Sequence, residues 1–291
     1  MKRLPFTIVD VFAESKYAGN QLAVFRDAGG LSGDEMQAIA RETHFSETTF
    51  VLAGKPRDNG WDVRIFTPGE EVPFAGHPTL GTAHVIRDEI LKGMAQSVTL
   101  RLKAGPIPVA LESGGIGWMR QNEPEFGPTH PAASLAAVLG LGEESFDRRF
   151  PVEEVSTGLG FFIVPLRGLD ALKKARIDRD RYFSLVRATP TKGILVFCPQ
   201  GRETGEDLSV RVFVDFFGVP EDPATGSGNG CLAAWLVKHR FFGGAAVDLR
   251  SGQGHEINRP SRLLLKAEEK EGRIAVWVGG RSITVARGEF V

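Results

Sequence analysis

The sequence RVFVDFFGVPEDPATGSGNGCLAAWLVKHR, residues 211–240, decides how the rest of the chain is interpreted. Its first seven residues are mostly β-branched or aromatic, which is typical of a strand. Residues 220–230 hold two prolines and three glycines, which exclude a regular element there. From Gly230 onward apolar residues dominate, with Leu232, Trp235 and Leu236 at helical spacing. The stretch therefore predicts a strand, a loop of small residues and a helix that is buried all round.

The start of this helix is predicted to bind an anion. The first N–H groups of a helix have no partner within the helix, and the helix dipole adds partial positive charge there. Such a helix start can hold an anion. Asp222, Thr225 and Ser227 add polar side chains at the same place.

A second stretch upstream follows the same plan. Residues 64–90, RIFTPGEEVPFAGHPTLGTAHVIRDEI, contain a strand, a segment with proline and glycine, the pair Gly76 and His77, and an apolar helix from about Pro78. RIFTPG resembles RVFVDF, and FAGHPTLG resembles ATGSGNG. We interpret this as an internal duplication, in which two halves each aim a helix start at a ligand in one cleft. The alternative is two unrelated strand–helix turns.

Composition and charge narrow the class of protein. The chain has 291 residues, 42% hydrophobic and 24% charged, which suits a soluble protein with two cores. A net charge of -1 without clustered basic residues gives no sign of nucleic-acid binding. No apolar run in the sequence approaches the roughly 20 residues of a membrane span. Cys198 and Cys231 lie far apart without a CxxC motif, which favours a reduced, cytoplasmic protein.

The remaining pattern is mostly strands. Ser32 is predicted to cap a helix. Residues 44–51 are strand-like, with Phe45 and Glu47 on one face, so Glu47 points either at an apolar interior or at solvent. Residues 122–131 contain three prolines and predict a linker. The pattern predicts an α+β protein with two sheets, each wrapped around a helix, in domains 1–121 and 122–278, and residues 279–291 are expected to return to the first. Strands are further expected at 6–12, 20–25, 97–102, 107–112, 116–121, 154–165, 193–198, 246–249, 262–268, 273–278 and 282–286.

Common cofactor and metal motifs are missing from the sequence. Residues 226–230, GSGNG, do not match the dinucleotide fingerprint, and there is no P-loop or HExxH motif. His77 and His84 lie seven residues apart on one helix, but no carboxylate completes a metal set. Ser227 lacks the GxSxG elbow of a serine hydrolase. The sequence therefore predicts neither a cofactor nor a metal.

Four separated motifs resemble the PhzF family of phenazine-biosynthesis-like isomerases, which shares the diaminopimelate epimerase fold. The similarity covers the whole chain, with the motifs in the expected order. It implies two similar domains, each a mixed sheet or barrel around a central helix, with the active site between them, and a homodimer. The motifs are VDVFAESKYAGNQLAVF, FSETTFV, RIFTPGEEVPFAGHPTLGTAHVI and GVPEDPATGSGNGCLAAWL.

The resemblance also implies a set of site residues. Glu47 of SETTFV corresponds to the acid/base glutamate of the family. The chain departs from the family pattern at Gln21, where proline usually follows the GN pair. The implied catalytic residues are Glu47, His77, Asp222 and Ser227, and the implied substrate-binding residues are Asn20, Gly76, Thr225, Gly226 and Gly228.

Diaminopimelate epimerases and proline racemases use two cysteines, one at each helix start. This chain has Ala75 and Thr225 at the matching positions, and Cys231 lies further along the helix. A two-base inversion therefore lacks its bases, whereas a one-base proton shift by Glu47 does not. The expected function is a cofactor-independent isomerase of a small carboxylate-bearing metabolite, cyclic or amino-acid-like. The alternatives are an amino-acid epimerase or racemase, or a non-catalytic metabolite-binding protein.

Overall fold

A computed structural model of the chain describes residues 3–291, which form six α-helices and seventeen strands. The helices are α1 (Gly33–Thr43), α2 (Gly76–Val85), α3 (Ala132–Leu139), α4 (Leu169–Lys174), α5 (Arg179–Arg187) and α6 (Gly226–Lys238). The strands are β1 (Leu4–Val11), β2 (Asn20–Phe25), β3 (Glu47–Val51), β4 (Trp61–Phe66), β5 (Glu71–Val72), β6 (Ser97–Leu102), β7 (Gly105–Leu111), β8 (Ile116–Arg120), β9 (Glu125–His130), β10 (Val152–Ser156), β11 (Gly160–Pro165), β12 (Gly193–Cys198), β13 (Leu208–Val214), β14 (Val219–Asp222), β15 (Ala246–Gln253), β16 (Ser261–Lys270) and β17 (Arg273–Phe290).

The chain divides into two compact units. The first unit runs to Met119 and also takes in Gly279–Val291, and the second unit is Arg120–Val278. The long strand β17 therefore begins in the second unit and ends in the first.

The first unit is a closed barrel of eight strands around α2. Its strands pair in the order β17–β1–β2–β3–β4–β6–β7–β8, and β8 pairs with β17 to close the ring. In the series from β17 to β8, the pairs β2–β3 and β4–β6 are parallel and the other pairs are antiparallel. Gly81 lets α2 lie close to the inner face, because a Cβ there would be 2.7 Å from Leu22 and 2.8 Å from Val11.

The second unit repeats this pairing. Its strands follow the order β9–β10–β11–β12–β13–β15–β16, with parallel pairs again only at the third and fifth steps, β11–β12 and β13–β15. The short strand β14 pairs with β13 as β5 does with β4. The two units are therefore pseudo-repeats in topology, which confirms the expected fold class and the duplication.

Helices cover both faces of each sheet. Inside, α6 is buried except at Ser227 and Lys238. Outside, α1 packs Met36 against the sheet in a cluster with Phe25 and Phe50, whose rings stack 5.3 Å apart. Strands that are buried on both faces have no polar side, which explains why β12 (GILVFC) is apolar throughout. Within residues 3–291, no helix is long and apolar enough to cross a membrane.

The expected linker at residues 122–131 is wrong, because most of it forms the strand β9. This strand pairs with β10, and the register shifts between Glu153 and Val155. Two residues of β9, Gly127 and Pro128, fall opposite one residue of β10. A β-bulge of this kind accommodates a proline, because the bulged residue needs no ladder hydrogen bond.

Helix α6 begins at Gly226, four residues earlier than the sequence predicts. Glycine has a low helix propensity, but close packing favours it at the start of this helix. A Cβ at Gly228 would lie 3.3 Å from both Phe161 and Leu195, and a Cβ at Gly230 would lie 3.0 Å from Gln121. The glycine segment is therefore the first turn of the helix and not a loop before it.

Two other strand boundaries also differ from expectation. Residues 154–165 form two strands, β10 and β11, because the chain reverses at Gly158, whose φ of +126° is accessible to glycine. Residues 273–278 and 282–286 are parts of the single strand β17. Its Gly279 continues the strand where a Cβ would meet the ring of Trp118 at 2.5 Å.

Candidate active site

Glu47 is the first residue of β3 and faces α2. Alternate residues of a strand share a face, and the hydroxyl of Thr49, two residues on, lies 2.8 Å from that of Thr82 on α2. Phe50, on the other face, packs in the outer cluster with α1. The expectation that Phe45 shares a face with Glu47 is wrong, because Phe45 precedes the strand and packs against the same outer cluster as Phe50.

Glu47 lies beside His77, which is in the first turn of α2. Glu47 Oε2 lies 3.5 Å from His77 Nε2, and the backbone oxygen of Gln21 lies 3.3 Å from the same nitrogen. Both neighbours are hydrogen-bond acceptors, so the imidazole proton belongs on Nε2. Burial lowers the pKa of His77 to about 3, so the ring is neutral at pH 7. The contact of the neutral ring with Glu47 is therefore not an ion pair.

The start of α2 leaves backbone N–H groups available. The N-cap residue is Ala75, whose methyl group cannot accept a hydrogen bond, and Thr79 N–H is the first to bond back to the Ala75 oxygen, at 3.3 Å. The N–H groups of Gly76 and His77 precede that bond. Asn20, which begins β2 next to Gln21, is buried. The geometry suits the predicted anion site, which stays a prediction.

The start of α6 has an equivalent plan in the second unit. Its N-cap is Thr225, and Asp222 ends the strand β14. The Thr225 hydroxyl donates to Asp222 Oδ2 at 2.5 Å instead of capping the helix. Asn229 N–H makes the first bond back to the Thr225 oxygen, at 3.0 Å. The preceding N–H groups are those of Gly226, Ser227 and Gly228; Ser227 is partly exposed and both glycines are buried.

Sequence reasoning missed two residues at this helix start, Gln253 and Asn229. Both are fully buried. The Gln253 side chain contacts Asp222, Thr225 and Asn229. Glutamine in a polar strand segment is usually exposed, so the pattern carried no signal. The only available hint was the pair of flanking glycines, Gly252 and Gly254.

The thiols are placed away from both helix starts. Ala75 and Thr225 occupy the N-cap positions of α2 and α6, where the resemblance puts the cysteines of epimerases. Burial raises the pKa of Cys231 to about 12 and that of Cys198 to about 11. Both cysteines are free and buried, and neither has the lowered pKa that a thiolate base requires.

His84 does not complete a metal site with His77. Its Nε2 lies 3.4 Å from Asp88 Oδ2 and 3.4 Å from the hydroxyl of Thr284. In the described part of the chain, no three side chains of His, Cys, Asp or Glu are grouped so that they could hold a metal ion. The structure thus groups the site residues in two sets, Asn20, Glu47, Gly76 and His77 in the first unit, and Asp222, Thr225, Gly226, Ser227 and Gly228 in the second.

A sheet wrapped around a central helix, present once in each unit, is the fold of the diaminopimelate epimerase-like isomerases. A hydroxyproline epimerase from Agrobacterium vitis shares this fold with a TM-score of 0.62 and 10% identity, covering 100% of this chain and 91% of that one. A family model described as "Phenazine biosynthesis-like protein" matches residues 9–288. The chain belongs to this family, the PhzF family of isomerases.

Two relatives show how far the likeness extends. The trans-2,3-dihydro-3-hydroxyanthranilate isomerase of Pseudomonas aeruginosa is 37% identical over 290 residues, which cover 97% of this chain and 98% of that enzyme. A solved PhzF-family phenazine biosynthesis protein from Bacillus anthracis has a TM-score of 0.91 and 28% identity, and covers 100% of both chains. The likeness therefore spans both units in sequence and in structure.

Proposed function

We propose that this isomerase moves a hydrogen within a small carboxylate-bearing metabolite, with Glu47 as the general acid/base and without a cofactor. The observation that carries the proposal is the contact of Glu47 with His77 at the open start of α2. It combines a proton acceptor, a neutral donor and backbone N–H groups within a few residues.

The proposed reaction is balanced without an external oxidant or reductant. The Glu47 carboxylate takes a proton from a carbon atom, and the electron pair of that C–H bond enters the conjugated system of the substrate. The protonated Glu47 then returns the proton to another atom of the same system. A single base serves both steps, as general acid/base catalysis permits. The chain therefore needs no thiol at Ala75 or Thr225.

His77 acts in this scheme as a donor and not as a base. Its pKa of about 3 leaves the ring without a bound extra proton at pH 7. Its Nε2–H donates to the backbone oxygen of Gln21, which fixes the ring beside Glu47, while the other ring nitrogen carries no proton. The resemblance to the family implies that the backbone N–H groups at the starts of α2 and α6, with Ser227, stabilise negative charge that develops on the substrate. Removing one such donor typically costs about 2.7–4 kcal/mol of barrier.

The first substrate to test is trans-2,3-dihydro-3-hydroxyanthranilate, which the 37% identical Pseudomonas aeruginosa enzyme is named for. Its carboxylate matches the anion expected at Gly76 and Gly226, and Asp222 would hydrogen-bond its amine. The measurement is deuterium uptake from heavy water, followed by NMR, in the natural protein and in Glu47→Gln. The variant should lose at least about a hundredfold in exchange rate, because a positioned base typically contributes that much.

The matched control is Glu71→Gln, since Glu71 is paired with Arg64 at 2.7 Å and has no part in the scheme. Equal exchange in Glu47→Gln and the natural protein would remove Glu47 from the chemistry. Inversion of an amino-acid centre in a polarimetric assay would support an epimerase instead. Tight binding of the compound without exchange would indicate a metabolite-binding protein.

We further propose, because the resemblance to the family implies it, that Glu47 and Asp222 serve one reaction. Residues that act in one step have effects that do not add. Glu47→Gln combined with Asp222→Asn should therefore be little slower than the worse single variant. Additive losses of exchange rate would show that Glu47 and Asp222 act independently and would contradict this proposal.

We also propose that the protein is a cytoplasmic homodimer, as the resemblance to the family implies. The two free, buried cysteines suit a reducing compartment. Light scattering should give twice the chain mass of 31.6 kDa. A mass of one chain at micromolar concentration would contradict the dimer.

A further inference from the structure

Gln253, the last residue of β15, uses its whole hydrogen-bonding capacity at the start of α6. Its Nε2 donates to the backbone oxygen of Asp222 at 2.7 Å and to the hydroxyl oxygen of Thr225 at 3.0 Å. Its Oε1 accepts from Asn229 Nδ2 at 2.8 Å and from the Thr225 N–H at 3.3 Å. A side-chain amide has two donors and two acceptor positions, and all are occupied.

The orientation of this amide is fixed by its neighbours. Turning it over would set its NH₂ group against two other donors, the Asn229 NH₂ and the Thr225 N–H. All four residues are largely shielded from solvent, and Gln253 and Asn229 are fully buried. Buried donors that face each other are costly, so only one orientation satisfies the cluster.

The direction of the next hydrogen bond follows from this orientation. The Thr225 hydroxyl has one hydrogen, and its oxygen already accepts from Gln253. Its hydrogen therefore goes to Asp222 Oδ2, 2.5 Å away. Gln253 thus donates to Thr225, and Thr225 donates to one oxygen of the Asp222 carboxylate.

We propose that Gln253 and Thr225 are positioning residues that hold Asp222 Oδ2 as a hydrogen-bond acceptor and so fix the orientation of the Asp222 carboxyl group toward a substrate. This inference rests on the proposed function, in which Asp222 acts on the substrate.

The cluster is more than a helix cap. An N-cap threonine usually accepts an N–H of the first helical turn, which is worth about 1 kcal/mol. Thr225 instead turns its hydroxyl to Asp222. Because the Thr225 hydroxyl bonds Asp222, it does not cap the first N–H groups of α6, and it holds the Asp222 carboxylate in place. A purely structural cluster would be expected to cap the helix.

The test is a ¹³C NMR titration of the Asp222 carboxyl carbon, assigned by its absence in Asp222→Asn. Thr225→Val removes the hydroxyl at nearly constant shape, and the titration midpoint should rise by about one pH unit, since the ionised form loses a donor. Thr225→Ser keeps the hydroxyl and should titrate like the natural protein. Gln253→Met removes the hydrogen bond that orients the Thr225 hydroxyl. It should raise the titration midpoint of Asp222 by less than Thr225→Val does.

Thr157→Val is the matched control, because Thr157 is also buried but its hydroxyl contacts Cys231, at 3.7 Å. The inference is overturned if Thr225→Val and Thr157→Val both titrate like the natural protein, or if serine shifts the midpoint as far as valine. Thr225→Ala gives the same readout if valine prevents folding. Failure of the proposed function would show differently, as unchanged deuterium uptake in Glu47→Gln, and would leave this titration unaffected.

Discussion

At the scale of single residues, His77 shows how burial sets a chemical role. The imidazole is 5% exposed, and burial lowers its pKa from 6.5 to about 3. A histidine that is neutral in the folded state and free to protonate in the unfolded state makes stability depend on pH. The free energy of unfolding is unaffected by this histidine above pH 6.5. It decreases as the pH falls from 6.5 toward 3, because over this range the unfolded chain binds a proton that the folded chain does not.

We therefore expect the natural protein to lose stability between pH 6.5 and 4.5, where most carboxylates stay ionised. One such histidine contributes a slope that approaches about 1.4 kcal/mol per pH unit. Urea unfolding of His77→Gln should show a shallower slope over this range. The exposed His44 provides the control, and His44→Gln should keep the natural slope. A His77→Gln slope equal to the natural one would contradict a neutral buried ring.

At the scale of elements, the central helices are positioned by close contacts with the strands around them. Gly81 lies in the middle of α2, where the added methyl of Gly81→Ala would be 2.7 Å from Leu22 and 2.8 Å from Val11. Alanine should stabilise an isolated helix by about 1 kcal/mol. Here overpacking should dominate and destabilise the protein by about 1–3 kcal/mol.

Thermal or urea unfolding of Gly81→Ala measures this effect. Gly33→Ala at the start of α1 is a suitable comparison, because the nearest atom to its methyl would be the flexible end of Arg64, at 3.3 Å. That variant should keep or gain stability. If Gly81→Ala also gained stability, α2 would be packed less tightly against β1 and β2 than the contacts at Gly81 imply.

Local chemistry explains which elements the sequence could predict. Ser32 caps α1 as expected, because a cap needs only neighbours within one turn, and Glu35 completes a capping box that was not predicted from the sequence. The strand β9 and the early start of α6 were missed. Pro128 is tolerated through a bulge opposite β10, and Gly228 is helical because Phe161 and Leu195 lie close. Those causes come from distant parts of the chain, which local patterns do not contain.

The same division holds for the candidate site. Glu47 and His77 were predicted through their motifs, and the structure brings their side chains within 3.5 Å. The role of Gln253 depends on the pairing of β15 with β13, which places it beside the start of α6. The residues that flank Gln253 in the sequence do not indicate that its side chain contacts the start of α6.

At the scale of the whole molecule, the first barrel depends on the last residues of the chain. Strand β17 pairs with β1 from Leu4 opposite Phe290 to Val11 opposite Ser282. The Phe290 ring lies 5.4 Å from Phe6 and 5.0 Å from Phe25. Without this segment, β1 and β8 would become open edges, and these rings would lose a partner.

Deleting residues 279–291 should therefore unfold the first unit. We expect dye binding to exposed apolar surface, and proteolysis confined at first to residues before 120, mapped by mass spectrometry. Deleting only Val291, which is 89% exposed, should change neither. Equal protease resistance of the two deletions would show that the barrel does not need its closing strand.

This dependence sets an order for folding during synthesis. Residues 120–278, which form the second unit, are synthesised before residues 279–291, which close the first barrel. The unit whose synthesis begins first is therefore the one that waits longest for its last strand segment. Translation that stops before residue 279 would yield a chain that has all residues of the second unit but lacks the strand segment that closes the first barrel.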